Sequence, residues 1–185
     1  VCSSDLHCAI VQGQMPGSRL STDDLRRVIR EHTARHENPS VSFMGGEPLL
    51  RADALDLLEF AATHTSAVTL GTNGLLINES CAARLARLPI SIQISLDGPD
   101  SALHDNIRGK GTFQKALNAI ALLCRLGGPA KITLAVTLVR CTLDQVRRMI
   151  ELADHLGIAE IRFLMLQRIK AAAAHWAEIG FDPEE

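Results

Sequence analysis

Apolar residues in this chain follow two different periods, and the switches between them mark out its elements. Ile90, Ile92, Ile94 and Leu96 alternate with other positions at period two, which predicts a strand. Ile132, Leu134, Val136 and Leu138 repeat that pattern, and so do Ile161, Phe163 and Met165. Shorter runs at 41–44 and 68–70 read as two further strands. Elsewhere the spacing is three or four. Leu25, Val28, Ile29 and His32 share a helical face, with Ser21 or Thr22 as the cap and Asp23 and Asp24 at the positive end. A second helix is predicted over about 52–64, with Leu55, Leu58, Ala61 and Ala62 inward. Ile77, Cys81, Leu85 and Leu88 mark a third. Phe113, Leu117, Ile120 and Cys124 mark a fourth, capped by Thr112 and stopped by Gly127-Gly128-Pro129. Leu143, Val146, Ile150 and Ala153 give the next, closed near Gly157. The polar stretch His104 to Gly109 reads as a long loop.

Strands alternating with helices predict βαβ crossovers and a parallel sheet. A sixth strand would be supplied if one lies around residues 1–8. The unusual polar sequences at 45–48, 71–74 and 95–99, together with Arg108, all come just after strands, so they gather at one rim. Ligands in parallel α/β folds bind at that end. In the first of these turns, Gly45 and Gly46 let a ligand approach the main chain, Pro48 stiffens the exit, and Glu47 adds a carboxylate.

Composition narrows the function classes. A formal net charge of -2 gives no basic balance for nucleic acid or an anionic membrane, and 3% aromatics with no Tyr disfavours a base-stacking surface. No apolar run approaches the ~20 residues of a bilayer span. The five cysteines are odd in number and widely spaced, which argues against a disulfide framework and fits a reducing cytosol. The opening Val1-Cys2-Ser3-Ser4-Asp5-Leu6 back-translates as GTG-TGC-TCT-TCC-GAT-CT, the tail of a common sequencing adapter. Residues 1–6 are therefore expected to be a non-native scar, and 7–185 a single core domain truncated at both ends.

The rim motifs, in order and each behind its strand, resemble the radical S-adenosylmethionine (SAM) superfamily. They are most similar to its peptide- and cofactor-maturing branch, the SPASM-type enzymes. The resemblance covers nearly all of residues 7–167 and rests on several motifs. These are His7-Cys8, the run Gly45 to Leu50, Thr72-Asn73-Gly74, Ile94 to Pro99, and His104-Asp105-x-x-Arg108-Gly109-x-Gly111-Thr112-Phe113. It implies an α/β fold, a partial (β/α)6 parallel barrel. It further implies a [4Fe–4S] cluster on three thiolates spaced Cys-x3-Cys-x2-Cys, with the fourth iron left open for the amine and carboxylate of SAM. Reductive cleavage of SAM would give a 5′-deoxyadenosyl radical for hydrogen abstraction, in peptide or cofactor maturation.

Position by position, the resemblance makes Cys8 the third cluster cysteine, while Val1 and Asp5 stand where the first two belong and Cys2 is out of register. The chain as written would then be inactive for want of two ligands. The scar is one explanation and a cluster-free, non-catalytic binding protein is the other. Gly45, Gly46 and Glu47 resemble the turn that takes the methionyl amine. Arg108 resembles the arginine that pairs with the methionyl carboxylate, for which a planar fork suits better than Lys. Ser95 resembles the serine that contacts carboxylate or ribose, with Asp97 nearby; Thr72 and Asn73 would face ribose or substrate. Leu164 or Met165 resembles the apolar residue against the adenine. Implied partners are a peptide or small cofactor-precursor substrate and an electron donor such as flavodoxin or ferredoxin, in the cytoplasm.

Each motif also has a plainer reading. Gly45-Gly46 alone is often only a turn, Asp97 could simply cap the turn Asp97-Gly98-Pro99, and a lone arginine is more often a surface ion pair. Cys81, Cys124 and Cys141 read as buried structural thiols. His32 and His36 are one helical turn apart but lack the Glu of a zinc-protease motif, so a solvated face is the better reading. His104-Asp105 reads as loop structure. The segment Ala171–Ala174 with Trp176, Ile179 and Phe181 reads as a helix docking on the barrel, or as a partner face. An unrelated barrel lyase or aldolase using Glu47 and Arg108 would expect a catalytic lysine at a strand end, where Lys131 and Lys170 are poorly placed.

Overall fold

The computed structural model describes residues 20–128, 130–166, 168, 173 and 175–180. Five strands form one parallel sheet in chain order: β1 (Ser40–Phe43), β2 (Ala67–Thr72), β3 (Ser91–Ser95), β4 (Lys131–Leu138) and β5 (Glu160–Met165). The helices are α1 (Thr22–Arg35), α2 (Ala54–Ala62), α3 (Glu79–Leu85), α4 (Ser101–Arg108), α5 (Thr112–Leu126), α6 (Val146–His155) and a short α7 (Trp176–Ile179). Every neighbouring pair of strands is parallel and separated in sequence by a helix, the arrangement expected of a partial barrel. The sixth strand expected around 1–8 lies outside the described residues, as does Cys8.

Burial follows position in the sheet. Leu70, Ile92, Ile94, Leu134 and Val136, on the three central strands, are fully buried. Each contributes roughly 1.5–3 kcal/mol by leaving water. β3 is covered on both faces, since Gln93 between its two isoleucines is buried too. The outer strands β1 and β5 alternate between exposed and half-buried positions over most of their length. Leu164 and Met165, at the end of β5, are open to solvent.

The helices are built largely as their periods predict, with differences that the packing explains. Ser21 caps α1 through a reciprocal pair with Asp24. Only Ile29 of its apolar face is buried; Val28 is 52% exposed and His32 is exposed as well, since among the described residues α1 packs chiefly on α2. An apolar groove of about 680 Å³ runs beside it, lined by Leu25, Val28, Phe43 and Leu57 and reaching Gly46 and Glu47. In α2 the buried stripe is Ala54, Leu57, Leu58 and Ala61, so Leu57 takes the place expected of Leu55, and Ala62 is half-buried. In α5 the stripe is Ala116, Ala119, Ile120 and Leu123, which rotates Cys124 out to solvent. Cys141 is exposed too, so of the three thiols only Cys81 is the buried structural cysteine expected. In α6 the inward residues are Met149 and Ala153, and Ile150 is exposed.

The largest departure is α4. Residues 104–108 are helical rather than a loop, in a helix started by Asp100, whose Oδ1 accepts the Leu103 N–H at 3.0 Å. Thr112 does not cap α5 through its side chain; its hydroxyl donates back to the Gly109 carbonyl at 2.6 Å. Asp105 serves that helix start instead, accepting the Gly111 and Phe113 N–H groups at 2.6 and 2.8 Å. Burial, which pushes the Asp105 carboxyl up, is outweighed by these donors, and it titrates below the usual carboxylate range. Gly127, at φ 62, ends α5 as predicted.

Candidate functional site at the C-terminal rim

The rim is held by two carboxylates on separate pairs of strands. The first closes β1 against β2. Gly45 turns the chain out of β1 with φ 126, and at Gly46 a side chain would meet none of the described residues within 4 Å, so they leave the turn open to an approaching ligand. Neither carbonyl of this glycine pair accepts a hydrogen bond from the described residues. Glu47 then folds inward. Its Oε1 accepts the Leu49 N–H at 3.1 Å and the Thr72 hydroxyl at 2.9 Å, and its Oε2 accepts the Asn73 N–H at 2.8 Å. Thr72 Oγ1 in turn accepts the Gly74 N–H at 3.0 Å, and Asn73 Oδ1 accepts the Leu75 N–H at 2.9 Å. Gly74 has φ 77, and a Cβ there would lie 3.4 Å from the Ala119 Cβ, so the turn sits directly on α5.

The second carboxylate lies deeper, between β3 and β4. Asp97, two residues past β3, has no exposed surface. Its Oδ1 accepts the Thr137 N–H at 2.7 Å and its Oδ2 accepts from Arg108 Nε at 2.5 Å. The Arg108 side chain is 14% exposed. Asp97 donates its own N–H to His104 Nδ1 at 3.1 Å. His104 is 1% exposed. Burial pulls its imidazole down to about 4, with Asp97 working in the opposite direction, so the ring is neutral and carries its proton on Nε2.

Sheet register brings the remaining candidates to the same end. Thr72 pairs with Ile94, one residue before Ser95, and Ser95 pairs with Ala135. Ser95 is half-buried, and no side chain among the described residues bonds its hydroxyl. Thr137 and Leu138 pair with Leu164 and Met165, which places that exposed pair beyond the Asp97 network. Asp97 is a buried counter-charge rather than a turn cap, and Arg108 an enclosed ion pair rather than a surface one. His104 and the Thr137 N–H belong to the network without having been predicted. The four-residue step from His104 to Arg108, with Asp100 as an N-cap, was the available signal for a helix that aims both residues one way. Among the described residues no group of three or more His, Cys, Asp or Glu is placed to hold a metal.

A radical SAM superfamily model matches residues 6–153, most of the chain. The chain belongs to the radical SAM superfamily. Over 176 residues it is 35% identical to the mycofactocin maturase MftC of Mycobacterium ulcerans, covering 94% of this chain and 47% of that one. Over 159 residues it is 30% identical to an AdoMet-dependent heme synthase of Methanosarcina barkeri, covering 83% and 45%. The chain therefore spans about half the length of these relatives. Among solved structures, Streptococcus suis SuiB bound to S-adenosylmethionine superposes with a TM-score of 0.78 at 20% identity, over 91% of this chain and 39% of that one. The fold of the radical SAM partial barrel is thereby shown. Radical SAM enzymes use a [4Fe–4S] cluster and SAM.

The residues present suit the two groups unequally. SAM offers a carboxylate, an amine and ribose hydroxyls. The rim offers an enclosed guanidinium, two open carbonyls and a strand-end hydroxyl, so the donor set fits. For the cluster, the register expected from the resemblance, with Cys8 as third cysteine, would put Val1 and Asp5 where thiolates are required. That set, as the sequence is written, does not fit a three-thiolate cluster.

Proposed function

We infer that this chain is the cofactor-binding core of a radical SAM enzyme that matures a peptide or a small cofactor precursor. The observation that carries this reading is the enclosed Asp97–Arg108 pair at the same strand ends as the open Gly45–Gly46 turn. Arg108 would take the methionyl carboxylate, the Gly45 and Gly46 carbonyls the amine, and Ser95 the carboxylate or ribose. Glu47, Thr72 and Asn73 would fix the turn that presents those carbonyls, with the rest of Glu47 Oε2's acceptor capacity available to the amine. Leu164 or Met165 would lie against the adenine. The kinship to mycofactocin maturase MftC, and the fold shared with SuiB bound to its precursor peptide SuiA, favour a peptide substrate. An electron donor of the flavodoxin or ferredoxin kind and a reducing cytoplasm go with such chemistry.

The test is anaerobic reconstitution of the full-length protein with iron and sulfide, followed by assay for 5′-deoxyadenosine. Production of it is expected; a loaded protein that leaves SAM intact overturns the reading. Val1 and Asp5, in the register of two cluster cysteines, favour a second reading: a cluster-free protein that binds through the same rim. The uninterrupted coding sequence decides between them. Cysteines at those two positions would mark residues 1–6 as a scar and favour the enzyme, and their absence would favour the binder.

A further inference from the structure

His104 has no part in the reading above, yet it is as deeply buried as the leucine core. A buried imidazole costs stability unless its polar atoms are satisfied. Here Nδ1 is satisfied by the main-chain N–H of Asp97, the residue whose carboxylate holds Arg108. Among the described residues Asp97 is thus fixed at three points: its N–H by His104, Oδ1 by the Thr137 N–H, and Oδ2 by the guanidinium. Engaging Arg108 through Nε fixes the plane of the fork relative to β3 and β4, and a planar fork is useful to a carboxylate only in the right plane. His104 and Arg108 lie four residues apart on α4, so one helix carries both ends of the arrangement. Asp105, between them, ties that helix to the start of α5.

We propose that Asp97 and His104 are positioning residues that set the plane of the Arg108 guanidinium for the carboxylate of a bound amino-acid-bearing ligand. The proposal rests on Arg108 being the carboxylate partner. The experiment measures binding of two probes to the full-length protein by titration calorimetry. S-Adenosylhomocysteine keeps the carboxylate, while 5′-methylthioadenosine lacks the amino-acid portion. His104→Leu is expected to weaken the first about tenfold and leave the second within about twofold, the size of one well-aligned charged hydrogen bond partly lost. His104→Asn, which returns an acceptor oxygen near the place of Nδ1, is expected to recover most of the loss. A folded His104→Leu protein that binds both probes normally, or loses both alike, overturns the proposal. If that variant does not fold, Asp97→Asn carries the same comparison. It keeps an acceptor for Thr137 but faces Arg108 with an amide, and an equal loss for both probes again overturns the proposal. Arg108→Gln separates the two levels. Selective loss of S-adenosylhomocysteine there, with none in the other variants, removes the positioning role alone. Equal loss of both probes removes the reading of Arg108 itself.

Discussion

Glu47 and Asp97 perform the same mechanical task, closing one strand end on its neighbour, but they are neutralised in different ways. Glu47 is half-buried and accepts from two backbone N–H groups and a hydroxyl. Asp97 has no exposed surface and accepts from a guanidinium as well as a backbone N–H. The difference follows depth. A carboxylate that still touches water can be balanced by neutral donors, whereas one taken fully out of water needs a cation and a filled set of hydrogen bonds. The deeper arrangement also brings an arginine to the rim, so depth and ligand chemistry are linked there.

Removing the deep carboxylate should produce the largest effect. Asp97→Ala takes a buried carboxylate away from Arg108 and the Thr137 N–H together, and is expected to cost about 3–5 kcal/mol in urea unfolding. A loss below about 1 kcal/mol would show the pair to be effectively solvated and would erase the contrast with Glu47. Acid titration sharpens the same point through His104. Its folded value lies near about 4, against 6.5 for the ordinary imidazole. The unfolded chain takes up the proton first, so this contribution is complete above pH 6.5 and is lost as pH falls towards 4. It amounts to up to about 3 kcal/mol. Unfolding free energies measured across that window should slope downward with acid, and the slope should flatten in His104→Leu. Glu47→Gln is the mildest perturbation, since it keeps the shape and one acceptor. A loss of about 1 kcal/mol, read as a small drop in Tm, is expected, and a loss as large as that of Asp97→Ala would mean the two carboxylates are not different in kind.

Strand positions were legible in the sequence because apolar residues alternate along the central strands, even where burial reaches both faces. Ile92, Ile94, Leu134 and Val136 all fall where alternation puts them. The rim motifs were legible because glycines, an acid and an arginine follow strand ends in order. What the sequence hid were partnerships formed across long separations. Thr137 looks like an ordinary strand residue until its N–H meets Asp97, forty positions earlier. His104 to Arg108 looked like a loop because two of its polar residues, His104 and Arg108, are enclosed, against the usual sense of an amphipathic helix. Thr112 looked like a cap because the residue that performs the task, Asp105, lies on the preceding helix. Cys124 was misplaced for a simpler reason: a stripe of small and apolar residues has a width, and a cysteine at its margin can fall on either side.

α7 has a practical consequence. Trp176 and Ile179 pack with Val139, Leu166 and Ile107, and Ile107 is the residue before Arg108. Arg168 sits over the indole at 5.6 Å. Trp176 is the one tryptophan among 185 residues that include no tyrosine. The ultraviolet emission of this chain therefore comes from a single corner of the molecule, next to the arginine on which the ligand assignment depends. A change in that emission on adding S-adenosylhomocysteine is the expected optical sign of a ligand at the rim.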